Sequence, residues 1–109
     1  ADVFISIHAD AAARSSANGF SVYVARSASS EAERLARAID DRMTRTSMTS
    51  NGVKEADFKV LVKTRCPAVL IELGYLSKYW EAKKLKNADM QRKLAKAIAD
   101  GICNYLAKY

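Results

Sequence analysis

Several residue types are scarce in this chain, and each scarcity narrows the possible structures. Among 109 residues there are two cysteines, one proline and one histidine. Cys66 and Cys103 form no C-x-x-C pair and no zinc-ribbon spacing. They are compatible with one disulfide or with two small buried side chains, and we favour burial because Cys103 lies on the apolar stripe of a predicted helix. No apolar run reaches the ~18 residues of a membrane-spanning helix.

The charge balance is basic, with a formal net charge of +6 and a pI of about 9.5. Such a balance favours acidic partners: nucleic acid, an anionic membrane surface or a polyanionic polymer such as a cell wall. The plainer interpretation is ordinary solubility. Basic residues gather near the predicted carboxyl-terminal helix, at Lys83, Lys84, Lys86, Arg92, Lys93 and Lys96. We interpret them as a solvated helix face and expect no nucleic-acid binding, since no common nucleic-acid-binding motif is present.

The first half of the chain predicts two strands and a helix. In residues 2–8, successive side chains alternate between two faces, which predicts a strand. Residues 9–19 predict a loop and residues 20–26 a second strand. Ser30 and Glu33 predict a capping box at a helix start. The following apolar stripe is Ala32, Leu35, Ala36, Ile39 and Met43. Residues 44–52 are predicted to end this helix and finish in an Asn-Gly turn.

The second half predicts one strong strand and one long helix. Residues 58–64 are expected to form a short strand or an extended loop before Pro67. The run "AVLIELG", residues 68–74, predicts a buried strand, and residues 77–87 a short helix or turn. Residues 88–109 predict a helix with Asn87 as its N-cap. Its predicted apolar stripe is Leu94, Ala97, Ile98, Ile102, Cys103, Tyr105 and Leu106.

These elements predict the α/β class, with helices packed over a mainly parallel sheet, because the strands are apolar on both faces. No repeat, low-complexity segment or linker divides residues 1–109, so we expect one domain.

Two titratable side chains stand at the ends of apolar strands, the single histidine His8 and Glu72. Ligands bind beyond the carboxyl ends of strands in open α/β sheets, so parallel neighbouring strands would bring this pair together. Burial at the end of "AVLIE" would also raise the Glu72 pKa and suit it to acid–base chemistry. The alternatives are a structural histidine and a glutamate that pairs with a lysine or caps a helix.

The stretches "DVFISIHADA", "GFSVYV", "SEAERLARAI" and "GVKEADFKVLVKTRCPAVLIELGYLSKYWEAKKL" resemble the type-3 catalytic domain of zinc-dependent N-acetylmuramoyl-L-alanine amidases. The resemblance covers essentially the whole chain and corresponds to the carboxyl-terminal two-thirds of that domain. It implies a mostly parallel sheet flanked by helices, of the phosphorylase/hydrolase-like type. The implied activity is cleavage of the amide between N-acetylmuramic acid and the L-alanine of the peptidoglycan stem peptide.

The resemblance also implies roles for two residues. His8 corresponds to a Zn²⁺ ligand in the "S-x-H-A" motif, and Glu72 to the catalytic acid–base of the "E-x-G-[FY]" motif. The family's other two ligands precede that histidine, and this chain has no second histidine. Because a catalytic zinc normally has three protein ligands, we expect a partial domain that lacks the family's amino-terminal strand and helix. Asp10 is assigned to orienting the loop or ligand, and Cys66 is discounted because it precedes its strand.

Four further expectations follow. A non-catalytic peptidoglycan-binding or regulatory module on the same fold is the alternative function. No signal peptide is visible, so any targeting segment is expected upstream. The implied activity places the protein in the periplasm, outside the cell or at the cell wall. An exposed sheet edge is expected to promote association if the domain is truncated. The span between Arg26 and Gly52 predicts one helix, which leaves the site unoccluded.

Overall fold

The structure is a computed structural model, and it describes residues 2–8, 19–73 and 88–107. Four strands form one sheet: β1 (Phe4–His8), β2 (Phe20–Val24), β3 (Ser50–Glu55) and β4 (Ala68–Glu72). The described residues also form three helices: α1 (Ser30–Met43), α2 (Lys59–Val62) and α3 (Ala88–Ala107). None of these helices is long and apolar enough to cross a membrane.

The sheet order is β1-β4-β2-β3. β1 pairs with β4 in parallel, and β2 pairs with β3 in parallel, whereas β2 and β4 run antiparallel. The predicted α/β class with a mostly parallel sheet is therefore confirmed, with one antiparallel junction in the middle. That junction turns the β2–β3 pair around relative to the β1–β4 pair, and it brings the start of β2 beside the end of β4.

The main core lies between one face of the sheet and the pair of helices α1 and α3. The predicted stripe of α1 is buried in full, at Ala32, Leu35, Ala36, Ile39 and Met43. The N-cap is Ser29, whose Oγ accepts a hydrogen bond from the Ala32 amide at 3.2 Å, so the predicted Ser30–Glu33 capping box was displaced by one residue. Two consecutive serines, Ser29 and Ser30, stand at the start of the helix, and the sequence alone did not show which of them is the N-cap.

The α3 stripe is narrower than predicted. Leu94, Ala97, Ile98, Gly101 and Tyr105 are buried, but Cys103 is exposed and Leu106 is 46% exposed. The expectation that Cys103 is a buried side chain was therefore wrong, because the step from Leu94 to Cys103 turns about 180° around the helix. Both cysteines are free, and Cys66 is half-buried. The predicted N-cap, Asn87, lies outside the described residues.

Two predictions for the middle of the chain were also wrong. Residues 50–55 form β3, whereas a turn was predicted at Asn51–Gly52. Gly52 has a φ of +90°, and the β2–β3 register shifts between Phe20 and Val22, so the glycine forms a bulge inside the strand. Residues 59–62 form the single turn α2, whereas a strand or extended loop was predicted. Its Leu61 covers Ala25, Ala68 and Leu70 on the sheet face opposite α1 and α3.

Candidate active site

His8 and Glu72 lie side by side at the carboxyl ends of two adjacent parallel strands. In the β1–β4 register, His8 is the partner of Glu72. The Leu73 amide donates a hydrogen bond to the His8 carbonyl at 2.8 Å, which extends the pairing past the end of β4. The condition for bringing the pair together, that the two strands are parallel neighbours, is met. The two side chains therefore share one end and one face of the sheet.

A third residue completes this row across the sheet. Ser21 of β2 is the antiparallel partner of Glu72, so the order across the strands is His8, Glu72, Ser21. Directly paired residues point to the same face of a sheet, with Cβ atoms about 4.5–5.5 Å apart. Sequence reasoning missed Ser21, because the contact depends on the antiparallel pairing of β2 with β4.

The row faces away from α1 and α3. Val22, Val69 and Ile71 belong to the core under those helices, and the side chains next to them in each strand point to the other face. On that other face, Tyr23 and Leu70 lie beside the row in the smaller apolar cluster. The helix predicted between Arg26 and Gly52 is α1, and it packs on the opposite face and does not lie across His8 and Glu72.

Exposure falls along the row from the edge of the sheet inward. His8 is exposed, Glu72 is half-buried, and Ser21 is 0% exposed. The Ser6 hydroxyl lies 2.9 Å from His8 Nε2, so it can hold the imidazole in one orientation. An exposed imidazole can bind a metal ion, and a partly buried carboxylate next to it can transfer protons at the same place.

The described residues contain no group of three or more histidine, cysteine, aspartate or glutamate side chains that could hold a metal ion. Asp10, named above as orienting the loop or ligand, lies outside these residues. Cys66 precedes β4, and at about 3.3 Å per residue it lies roughly 20 Å along the strand from Glu72. The reason for discounting Cys66 as a ligand therefore holds. Among the described residues, the row supplies one imidazole and one carboxylate.

A model of the N-acetylmuramoyl-L-alanine amidase family matches residues 1–104. The chain is 37% identical over 107 residues to the N-acetylmuramoyl-L-alanine amidase LytC of Bacillus subtilis (strain 168), covering 96% of this chain and 22% of LytC. Another Bacillus subtilis relative is covered over 52% of its length. The chain therefore spans about half, or less, of these two curated relatives.

Solved structures show the same fold. The catalytic domain of CwlV, an amidase from Bacillus (Paenibacillus) polymyxa var. colistinus, superposes with a TM-score of 0.88 at 39% identity, covering 98% of this chain and 59% of that one. An N-acetylmuramoyl-L-alanine amidase from Clostridium difficile 630 superposes with a TM-score of 0.92 at 31% identity, with the same two coverages. The predicted family and fold are thereby confirmed.

Proposed function

Because this chain belongs to the N-acetylmuramoyl-L-alanine amidase family, we propose that the protein carrying it is a peptidoglycan hydrolase. The bond cleaved is the amide between the lactyl group of N-acetylmuramic acid and the L-alanine of the stem peptide. The observation that carries the proposal is the register pair of His8 and Glu72 at the carboxyl end of the sheet. It provides a metal-binding side chain and a proton acceptor on the same face.

Zn²⁺ is the cofactor of this proposal, with His8 as one ligand. The exposed imidazole fits that role in donor type and accessibility. Since a catalytic zinc takes three protein ligands, the others would come from outside the described residues. When bound, zinc supplies a Lewis acid that polarises the scissile carbonyl and lowers the pKa of a water molecule.

Glu72 is the general base and then the general acid. Its carboxylate accepts a proton from the attacking water as the new C–O bond forms at the lactyl carbonyl. It returns the proton to the L-alanine nitrogen as the C–N bond breaks, so the products are a lactyl carboxyl group and a free peptide amine. Glu72 is partly buried at the apolar end of β4, which supports this role because it shields the carboxylate in part from bulk water.

The test uses the complete gene product that carries this chain, with soluble N-acetylmuramoyl peptide as substrate. Glu72→Ala should lower the release of L-alanine-terminated peptide by at least about 100-fold while zinc stays bound, since it removes only the acid–base group. His8→Ala should lose both activity and zinc, measured by elemental mass spectrometry. Glu55→Ala is the matched control, because Glu55 ends β3 and is exposed away from the row. Near-normal turnover in Glu72→Ala would refute the role given to Glu72.

A non-catalytic peptidoglycan-binding or regulatory module is the second candidate. It is favoured by one observation, the lack of a three-ligand metal cluster in the described residues. Such a module would sediment with purified peptidoglycan but release no peptide at any zinc concentration. The presence of both His8 and Glu72 in one row favours the hydrolase, because binding alone needs neither group.

The substrate polymer determines where the protein would act. Peptidoglycan lies outside the cytoplasmic membrane, so we place the activity in the periplasm, at the cell wall or outside the cell. The net charge of +6 supports this assignment, because stem-peptide carboxylates and anionic wall polymers attract a basic protein.

A further inference from the structure

Ser21 is buried and polar, and its hydroxyl has no hydrogen-bond partner. The side chain is 0% exposed, and Oγ is the one buried side-chain nitrogen or oxygen without a partner in the described ranges 2–8, 19–73 and 88–107. Burying a hydroxyl without a partner costs free energy, and an alanine of nearly the same size would avoid that cost. Packing alone therefore does not explain a serine at this position.

The place of Ser21 in the sheet identifies the group it serves. Glu72 is its direct cross-strand partner, and the two side chains point to the same face. Their Cβ atoms lie about 5 Å apart, a separation that a serine hydroxyl and a glutamate carboxylate bridge by rotation about their side-chain bonds. His8 lies two strands away from Ser21, at roughly 10 Å, which is too far for a hydrogen bond.

We propose that Ser21 is a positioning residue, whose hydroxyl donates a hydrogen bond to the Glu72 carboxylate and fixes its orientation in the row. A substrate cannot reach a fully buried oxygen, so Ser21 acts through Glu72 and makes no contact with the reacting bond. A carboxylate has several acceptor sites, and one taken by Ser21 leaves others for the attacking water. This inference rests on the proposed role of Glu72 in catalysis.

A matched pair of substitutions isolates the hydroxyl. Ser21→Thr and Ser21→Val give side chains of nearly equal shape, and both suit a strand, but only threonine retains the hydroxyl. In the complete zinc-loaded gene product, we expect Ser21→Thr to keep kcat within about twofold of the parent. Ser21→Val should lower kcat about tenfold with KM and zinc content unchanged, the loss of one hydrogen bond to a charged group. Equal kcat values for the two variants would overturn the proposal.

A second measurement does not depend on activity. Melting temperatures of Ser21→Ala, Glu72→Ala and the double variant form a double-mutant cycle. If Ser21 donates to Glu72, the two single shifts do not add in the double variant. Additive shifts would overturn the inference even if the protein is an active amidase. Conversely, a protein without hydrolase activity that shows non-additive shifts would refute the proposed function and retain the Ser21–Glu72 contact.

Discussion

Ser6 contacts the single imidazole of the chain, and the contact selects between its two nitrogens. The Ser6 hydroxyl lies 2.9 Å from His8 Nε2. If this hydroxyl accepts the Nε2 proton, Nδ1 is left unprotonated and is the nitrogen that would bind a metal. Groups that hold the second nitrogen of a metal-binding histidine fix the tautomer and the orientation of its ring.

We therefore expect Ser6→Ala to weaken zinc binding by about tenfold or more, because ring orientation and tautomer are no longer fixed. Zinc affinity of the complete gene product, measured by competition with a chelating dye, checks this expectation. Ser27→Ala, an exposed serine in the turn after β2, is the control and should bind zinc like the parent. Equal affinities for all three proteins would show that Ser6 has no part in the site.

The sequence alone was sufficient to predict two of the three residues in the row as candidate site residues. His8 and Glu72 each end an apolar strand, and that position alone predicts a shared sheet end if the strands are parallel neighbours. Ser21 could not be predicted, because it stands at the start of its strand, not the end. Only the antiparallel orientation of β2 brings that start beside Glu72, and no local pattern in residues 20–26 shows which neighbour β2 takes.

Gly101 determines how closely the two long helices approach. A Cβ at this position would lie 2.6 Å from the Ile39 Cα and 3.0 Å from the Ala38 carbonyl oxygen of α1. We expect Gly101→Ala to destabilise the protein by about 1–3 kcal/mol, since backbone atoms must move apart. The opposite sign would follow from helix propensity alone, which favours alanine by about 1 kcal/mol.

Cys103→Ala is the control for helix propensity, because Cys103 lies on the exposed side of the same helix; this variant should be neutral or slightly stabilising. Chemical denaturation of Gly101→Ala and Cys103→Ala compares their free energies of unfolding. A Gly101→Ala variant as stable as the Cys103→Ala variant would show that α1 and α3 can separate at little cost.

Asp100 links α3 to α1 through charge. Its pKa is held below the ordinary value by a hydrogen bond from Lys96, opposed in part by burial and reinforced by the charges of Lys96 and Arg42. The Lys96 Nζ lies 2.8 Å from the carboxylate, and an Arg42 nitrogen of α1 lies 3.7 Å away. A carboxyl group whose pKa is lower in the folded than in the unfolded protein stabilises the folded state at pH values above the unfolded-state pKa. This contribution is lost as the pH falls through the folded-state pKa.

Asp100→Asn should therefore lower the melting temperature at pH 7, and the difference from the parent should shrink as the pH falls below about 4. Thermal unfolding followed by circular dichroism between about pH 2 and pH 7 measures this difference. Asp41→Asn is the control, since Asp41 pairs with Arg45, two residues past the end of α1, and both side chains are well exposed. A constant difference across the whole pH range would contradict the assigned contribution of Asp100.

Among the helices and strands, those with apolar residues recurring regularly over many positions were predictable from the sequence, and those without such a pattern were not. The five apolar residues of α1 recur at helical spacing, and all five are buried. β3 was missed because Asn51–Gly52 usually marks a turn, and its residues are mostly polar, as suits a strand at the edge of the described sheet. The single turn α2 is set by Leu61 packing under β4, a tertiary contact that its four residues do not show.

At the scale of the molecule, the basic surface is partly neutralised where the structure describes it. Of the clustered basic residues, Arg92 pairs with Asp89 and Lys96 pairs with Asp100. These pairs agree with a solvated helix face, whereas the absence of nucleic-acid binding stays a prediction. Lys83, Lys84 and Lys86 lie outside the described residues.

The two edges of the described sheet differ in chemistry. β3 forms one edge and includes Asn51, Lys54 and Glu55 together with the Gly52 bulge, features that discourage pairing with another chain. β1 forms the other edge, and its sequence FISIH has no acidic or lysine side chain. Its Ile7 is 53% exposed. An apolar edge with unpaired backbone groups can pair with the same edge of a second copy.

We therefore expect the 109-residue chain, expressed alone, to associate reversibly through β1. Sedimentation velocity over a range of concentrations should show association that Ile7→Lys removes, because a charge on an edge strand opposes pairing. Val62→Lys is the matched control, since Val62 is equally apolar and 52% exposed but lies on α2. Association that both variants remove equally would indicate a general hydrophobic surface, and a chain that is monomeric at every concentration would show that the β1 edge is already covered. Loss of association in Ile7→Lys alone would locate the contact at the strand that carries His8, so that assembly would involve the same edge of the described sheet as the row of His8, Glu72 and Ser21.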